Sequence, residues 1–511
     1  DRSTPEDEAA HAAVVSLNNA LIAALGALDR EGLDEDARLD HDLLLGGARL
    51  QNAFYLEQLP ARPDPQRYLP LDALHQLTLR PVPDLAQAMR GRLAAIPAHL
   101  EAAETALRAH VARVPPLWCE SALTSARAGD VLLASIPAHP ALAPQQGEFT
   151  KLARAAAAAL TRFADFLASE VMPRARGDFA CGVDHFNDLL RLRHFLDIDA
   201  DALHDFGTRL LEETERDLND AARALGARDI AAATAALHAQ HPPADELLST
   251  YRAQMQAARE FVARAGIIDL PAPERLDVVE TPAFLRQQIP FAAYVGPAPN
   301  DARQQGYYYV TPPTDAAQLA AHDRAGIMLT CVHEAYPGHH LQFVAANGQP
   351  RARSLPRLLN TSATLYEGWA LYCEQLMHEQ GFLAMPVHRF VLLKDRLWRA
   401  LRVVLDVELH TRGLALDAAV ARMQAALGFT REQALADLTW YSRAPTVPMG
   451  YATGWALINA ARDRARLAPN FAPRDFHAGV LSVGSVALPL VLRRAFGEGS
   501  WRAARQMVFP A

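Results

Sequence analysis

Apolar residues recur at intervals of three and four over most of this chain, the period of an α-helix with one buried face. Val14, Leu17, Leu21, Ile22 and Leu25 form one such stripe, and Leu43, Leu44, Leu45 and Leu50 a second, so residues 1–60 read as two helices. A proline-rich connector with a short helix follows over 60–82. Leu85, Met89, Leu93, Ile96, Leu100 and Leu107 mark a long amphipathic helix over 83–112, stopped by Pro115-Pro116. Further helices are predicted over 119–134, over the Ala-rich 148–172, as a pair over 183–223, and on to about residue 265. His185, Arg191, Arg193 and His194 cluster in the first helix of that pair, either as a solvated face or as a group able to take a substrate carboxylate.

The pattern changes at 266. Six prolines between 271 and 299 interrupt any helix, and between them lie Leu276–Val279, Phe291–Val295 and Tyr307–Val310. These short β-branched and aromatic runs predict a small antiparallel sheet. Tyr307, Tyr308 and Tyr309 suit a strand edge that receives an extended substrate by strand addition; the alternative is a sheet that only packs on the helices. Helical periodicity returns over 324–347, 360–379, 386–412, 416–427 and 430–441. Thr430 followed by Glu432 and Gln433 is a helix start signal. The segment 440–455, WYSRAPTVPMGYATGW, reads as an irregular aromatic loop between helices, a place where functional residues collect. The fold class predicted is mainly α, with the small sheet just ahead of the helix at 324.

Composition agrees with this reading. Half of the 511 residues are hydrophobic, only 7% are aromatic, and Ala and Leu dominate, which favours helix around a large core. The net charge of −8, with no run of five Lys or Arg, gives no sign of a nucleic-acid partner. Cys119, Cys181, Cys331 and Cys373 form no C-x-x-C and read as small buried thiols. No stretch is read as 18 consecutive apolar residues; the longest uncharged one is taken to be Ala478–Leu492, a core segment. No transmembrane segment and no signal-like segment are therefore expected. A cytoplasmic location is favoured, with export after removal of a signal as the alternative.

The chemistry concentrates in RAGIMLTCVHEAYPGHHLQFVAAN (324–347). His333-Glu334 is followed by His339 and His340, at i+6 and i+7 from His333. Two imidazoles and a carboxylate this close are what a catalytic zinc site uses. The common H-E-x-x-H spacing is absent, since i+4 is Pro337. On a straight helix i and i+7 lie about 10 Å apart along the axis, too far for one ion. Pro337-Gly338 between the two imidazoles offers a kink that could return the second to the first. This geometry leaves His339 and His340 both open. On 360–379, which Asn360, Thr361 or Ser362 can cap, Glu367 and Glu374 are seven apart and share one face. Glu367 suits a third ligand; Glu374 suits either a group that orients a ligand or a surface carboxylate. Tyr441, Arg443, Tyr451 and His477 are the candidates to stabilise an oxyanion.

HEAYPGHHLQ followed by LYEGWALYCEQL resembles the bacterial "domain of unknown function 885" family, grouped with zinc-dependent metallopeptidases of mainly helical fold. GYYYVTPP (306–313), FHAGVLSVGSVALPLVL (476–492) and, more weakly, CGVDHFNDLLRLRHF (181–195) share the resemblance, which covers most of the chain from about residue 150. It implies His333, His339 and Glu367 as ligands of one Zn2+ per chain, with Glu334 as the general base. It selects His339 over His340, and Tyr451 among the oxyanion candidates; His340 and Glu374 are left as supporting or alternative groups. It also implies a large helical clamshell-like architecture with a deep cleft. The expected regions are an N-terminal helical part (1–145), a helical part lining the cleft (146–265), the sheet segment (266–319) and a catalytic part (320–511), integrated in one fold. The expected activity is hydrolysis of short peptides, with Tyr307, Tyr308, Tyr309, Tyr441 and Arg443 toward the substrate. The alternatives are a zinc hydrolase of another amide or acyl compound, a non-haem iron site, or a non-catalytic helical scaffold.

Overall fold

A computed structural model describes residues 8–79, 82–282, 286, 289 and 291–510. The described chain is mainly α-helical and carries one three-stranded sheet. It forms two compact units. The first is built from the described residues up to Gly26 and from Gln51–Phe179. The second is built from Ala27–Leu50, Ala180–Pro282 and the described residues after Gln288.

In the first unit the helix Leu85–Arg108 starts where the Asp84 carboxylate accepts the Gln87 N–H at 2.8 Å. Capping of this kind satisfies one of the donors that a helix start leaves without a partner. The predicted stripe is the buried face: Met89, Leu93, Ile96, Leu100 and Leu107 pack with Phe149, Leu160 and Phe163 of the helix Gln146–Phe166. The helix Glu8–Gly26 behaves differently, with Leu17 71% exposed. Its Ala9–Gly26 segment, of mean hydropathy 1.4, is long and apolar enough to cross a membrane by length and composition. Without a charged residue it is longer than Ala478–Leu492, which was expected to be the longest uncharged stretch. His11, Asn18 and Asn19 interrupt the apolar run without adding charge. A core helix or a signal sequence passes the same test, so the segment carries little weight by itself.

The second unit holds the sheet. Strands β1 (Arg275–Glu280), β2 (Ala292–Val295) and β3 (Gln305–Val310) lie in the order β1-β3-β2. β3 runs parallel to β1, with Arg275 opposite Gln305, and antiparallel to β2, with Ala292 opposite Val310. The sheet is thus mixed, where an antiparallel one was expected. β3 is its central strand, so Tyr307, Tyr308 and Tyr309 do not form a free edge. Tyr308, Tyr309 and Val310 are all buried, as in a strand covered on both faces. Short β-runs report that strands exist but not which pair they form.

Two close helix contacts organise the rest of this unit. Ala200–Ala224 packs on the long helix Pro386–Thr411, where a Cβ on Gly207 would stand 2.8 Å from Val403. Ala363–Glu379 packs on Gly450–Ala465 through Gly368 and Gly454, where a Cβ on Gly368 would meet the Gly454 Cα at 2.5 Å. Ser362 caps the first of these two helices by accepting the Thr364 N–H at 3.3 Å. Thr430 and Gln433 form the reciprocal capping box that the sequence signals. The helices Arg431–Arg443 and Gly450–Ala465 leave only 444–449 irregular, much less than the loop read over 440–455. The four cysteines are buried and form no disulfide among the described residues.

The glycine contact sets a testable contrast. Gly454→Ala drives its new methyl into the Thr364 carbonyl. Overpacking of this kind should lower stability by about 1–3 kcal/mol or more, read as an earlier denaturant midpoint. Gly91→Ala, inside Leu85–Arg108 and with nothing within 4 Å of the added carbon, should raise stability by about 0.5–1 kcal/mol.

Candidate metal centre

The first imidazole comes from the helix Arg324–Glu334, which starts at Asp323, whose carboxylate accepts the Gly326 N–H at 2.7 Å. The helix stops directly after Glu334, because Ala335 leaves helical geometry (φ −116°, ψ −83°). A second helix, His339–Gly348, begins after Gly338. Gly338 lies so close to the His333 carbonyl that any Cβ would collide with it, and its N–H donates to the Val332 carbonyl at 3.0 Å. The Pro337 carbonyl accepts the Trp369 indole N–H at 2.8 Å, which ties this turn to the helix Ala363–Glu379. The chain therefore folds back within one tight turn. The imidazoles of His333 and His339 end with ring centres 4.9 Å apart and planes nearly perpendicular.

Glu367 completes the group. Its Oε2 lies 3.2 Å from His339 Nε2 and 3.8 Å from His333 Nε2. One atom from each of the three residues lies within 4.8 Å of the other two. Among the described residues this is the one group of three such side chains able to hold a metal ion. Glu367 Oε2 is buried, yet no contact to it has hydrogen-bond geometry. Ligands 2.0–2.2 Å from a tetrahedral ion stand about 3.3–3.6 Å from one another. The observed separations, and the absence of proper pairing, are those of atoms that converge on a common point. Two nitrogens and one carboxylate oxygen are a donor set that suits zinc.

Glu374, two turns beyond Glu367 on the same helix, holds the other side of the first imidazole. Its Oε1 accepts from His333 Nδ1 at 2.7 Å, which leaves Nε2 facing Glu367. Burial by itself would depress the His333 pKa, but Glu367 and Glu374 outweigh it and raise it to about 10. For Glu374 burial prevails, and its pKa is raised. Burial likewise acts to raise Glu367, but the His339 and His333 imidazoles outweigh it and hold it well below the usual range. His339 Nδ1 is buried without a hydrogen-bond partner. Rings orient it instead: Tyr294 of β2 is stacked at 6.3 Å and Phe343 at 6.0 Å.

Glu334, next to His333, is partly exposed. Its carboxylate makes no hydrogen bond or ion pair among the described residues. Tyr451 lies in the first turn of Gly450–Ala465, its ring stacked on His333 at 6.2 Å. Burial, then the Glu367 carboxylate, push its hydroxyl pKa far up, so it stays protonated. Arg402 and Arg399 lie over the Tyr451 ring at 4.7 and 5.8 Å.

Other sequence candidates lie elsewhere. His340 has both ring nitrogens occupied, by Tyr294 Oη at 3.0 Å and Glu274 Oε2 at 2.9 Å, so it does not join the convergent group. His477 sits between the Ile267 carbonyl and the Tyr372 hydroxyl, each at 2.7 Å, and burial lowers its pKa to about 4. Tyr441 is buried, donating to Asp437 at 2.6 Å and accepting from Arg402 at 2.8 Å. Arg443 ends its helix, partly exposed. Tyr294, Phe343, Tyr366, Arg399 and Arg402 surround the centre without having been singled out in the sequence. Only Tyr366, beside Glu367, carried a signal there.

The model of the family described as "Bacterial protein of unknown function (DUF885)" matches residues 1–495. The chain belongs to the DUF885 family. No curated protein matches this DUF885 member. Its fold is shared by a candidate lipoprotein of unknown function from Shewanella oneidensis, at 21% identity and a TM-score of 0.76, over 96% of this chain and 92% of that one. A candidate lipoprotein from Colwellia psychrerythraea is similar at 19% identity and a TM-score of 0.77, over 98% and 90% of the two chains. An M32 carboxypeptidase from Deinococcus radiodurans R1 aligns over 98% of this chain and 99% of its own, at 16% identity and a TM-score of 0.38, too low to establish a common fold.

Elemental mass spectrometry should find one zinc per chain, lost in His333→Ala, His339→Ala and Glu367→Ala and kept in His340→Ala. Glu374→Gln should weaken binding roughly 10–100-fold. His333 is protonated below a pKa of about 10 in the ion-free protein, and a ligating imidazole must be neutral. At pH 7 binding should therefore release about one proton, and affinity should rise with pH up to about pH 10. Calorimetry in buffers of different ionisation enthalpy measures that proton, and its absence would refute the raised pKa of His333, while zinc retained in His333→Ala, His339→Ala or Glu367→Ala would refute the ligand set.

Proposed function

We propose that this DUF885 protein is a zinc-dependent hydrolase that cleaves short peptides. The observation that carries this reading is the convergence of His333, His339 and Glu367, with the carboxylate of Glu334, adjacent in sequence to His333, unpaired among the described residues. A structural site is normally closed by four protein ligands, whereas three ligands leave a position for water. A binding scaffold has no use for a free carboxylate at that position.

When bound, zinc supplies a Lewis acid that polarises a carbonyl and eases the ionisation of water. The residues of the chain do the rest. Glu334 takes a proton from the attacking water and returns it to the leaving amine. Glu374 keeps the His333 proton on Nδ1, so that Nε2 offers its lone pair. Tyr451, held protonated beside Glu367, donates a hydrogen bond to the oxyanion that forms from the carbonyl. Arg399 and Arg402 over its ring draw electron density from the phenol and so make its O–H a stronger donor to the oxyanion.

A mixture of short peptides read by mass spectrometry tests the assignment. Glu334→Gln should keep its metal and its fold and lose about 10²–10⁴ in kcat. Tyr451→Phe should lose about 10–10³ in kcat with a smaller change in KM. A metal-loaded wild type that cleaves no member of the mixture would refute the peptidase reading.

A further inference from the structure

The helix Val183–Leu192 ends on Arg193, and the basic side chains there have unlike surroundings. Arg191 is exposed and paired with Asp188 at 2.5 Å on its own helix. His194 is fully buried, its Nδ1 2.8 Å from Ser362 Oγ and its Nε2 2.9 Å from Thr446 Oγ1. Arg193, between them, donates its backbone N–H to the Leu189 carbonyl at 3.0 Å, but its side chain makes no hydrogen bond, ion pair or ring contact among the described residues. Its guanidinium acts by charge on Tyr366. Tyr366 immediately precedes Glu367, and its ring lies against His339 at 6.4 Å. One aromatic side chain therefore separates an unpaired cation from the candidate metal centre.

The location is built, not incidental. Through its neighbour His194, Arg193 is fastened to Ser362, the cap of the Glu367 helix, and to Thr446, just ahead of the Tyr451 helix. Phe195 (φ +53°) and Thr446 (φ +67°) both take left-handed backbone geometry, which side chains of their type rarely adopt. On the opposite side, a Cβ on Gly46 would stand 2.5 Å from the Leu192 carbonyl, so the end of the helix is closely backed. Solvent reaches the Arg193 side chain, yet the surrounding protein desolvates the guanidinium and lowers its pKa. Exposure together with desolvation is what a side chain on the wall of a recess shows; one on a convex face would be exposed without being desolvated.

We propose that Arg193 binds a carboxylate of the substrate, so that the peptides this centre takes carry a carboxylate close to the scissile bond. A planar, partly desolvated guanidinium without a protein partner matches a carboxylate through two parallel hydrogen bonds. Held on one side of the centre, that carboxylate fixes where the peptide carbonyl lies relative to Glu334 and Tyr451. The inference rests on the peptidase reading for its substrate, but Arg193 can be tested without turnover.

The probes are tetra-alanine as the free acid, tetra-alanine with an amidated C-terminus, and the amidated peptide with its third Ala replaced by Glu. Each is titrated calorimetrically into zinc-loaded Glu334→Gln protein, with Arg193 intact and with Arg193→Ala. At least one of the two carboxylate probes should bind about tenfold tighter than the plain amide. Arg193→Ala should abolish that advantage at unchanged zinc content, and Arg193→Lys should restore part of it. The free acid as the tighter probe identifies a C-terminal carboxylate, and the Glu peptide identifies an acidic side chain. Equal binding of all three, no binding of any, or an advantage that survives Arg193→Ala overturns the assignment. Carboxylate-dependent binding by a wild type that cleaves nothing refutes only the hydrolase reading. Equal cleavage of acid, amide and Glu peptide by the wild type refutes only the role of Arg193.

Discussion

The candidate centre depends on one close approach, that of Gly338 to the backbone carbonyl of His333. Any side chain at 338 would push the two segments apart and carry His339 away from His333. Proline before it supplies a carbonyl rather than a donor, and the Trp369 indole binds that carbonyl from the Glu367 helix. The turn that brings the imidazoles together is thus fastened to the element that brings the carboxylate. A second close contact, Gly368 on Gly454, sets the Glu367 helix against the helix that carries Tyr451 in its first turn. Small residues at these two places let backbones meet, and the polar side chains converge because the backbones do.

Electrostatics follows from that convergence. Two buried carboxylates flank one imidazole, an arrangement that costs free energy unless a cation sits among them. In the ion-free protein the cation is a proton on His333, which Glu367 and Glu374 hold against the effect of burial. A divalent ion on the Nε2 side would answer the same excess of negative charge. Beyond the centre, aromatic rings rather than hydrogen bonds hold His339, which leaves its position governed by packing with β2 and the His339 helix.

Much of the fold was legible in the chain because helices declare themselves locally. The stripe from Met89 to Leu107 buries as its spacing predicts, and Thr430 with Gln433 makes the cap that its residues announce. The i, i+7 relation of Glu367 and Glu374 placed both on one helix face, and both do face His333. The sheet was less legible. Its strands could be found, but the order β1-β3-β2 depends on pairing between segments far apart in sequence. Hence the tyrosines of β3, expected at an edge, lie in the centre. The Ala9–Gly26 run escaped because its interruptions are polar without charge, which alters the pattern of the stretch but not its mean hydropathy.

The sequence by itself determined the helical class, several helix starts and stops such as the cap at Thr430, and the short list of side chains from which a metal site could be drawn. Those are consequences of local spacing, capping and the backbone chemistry of proline and glycine. It also limited the second imidazole to two adjacent residues without choosing between them by geometry. The tertiary structure gives the two different surroundings: His340 is engaged by Glu274 and Tyr294 from elements distant in sequence, whereas His339 turns toward Glu367. It separated Arg193 from the paired Arg191 and the buried His194 in the same way. Neighbouring residues carry the same local code, and only contacts made across the fold assign them different surroundings.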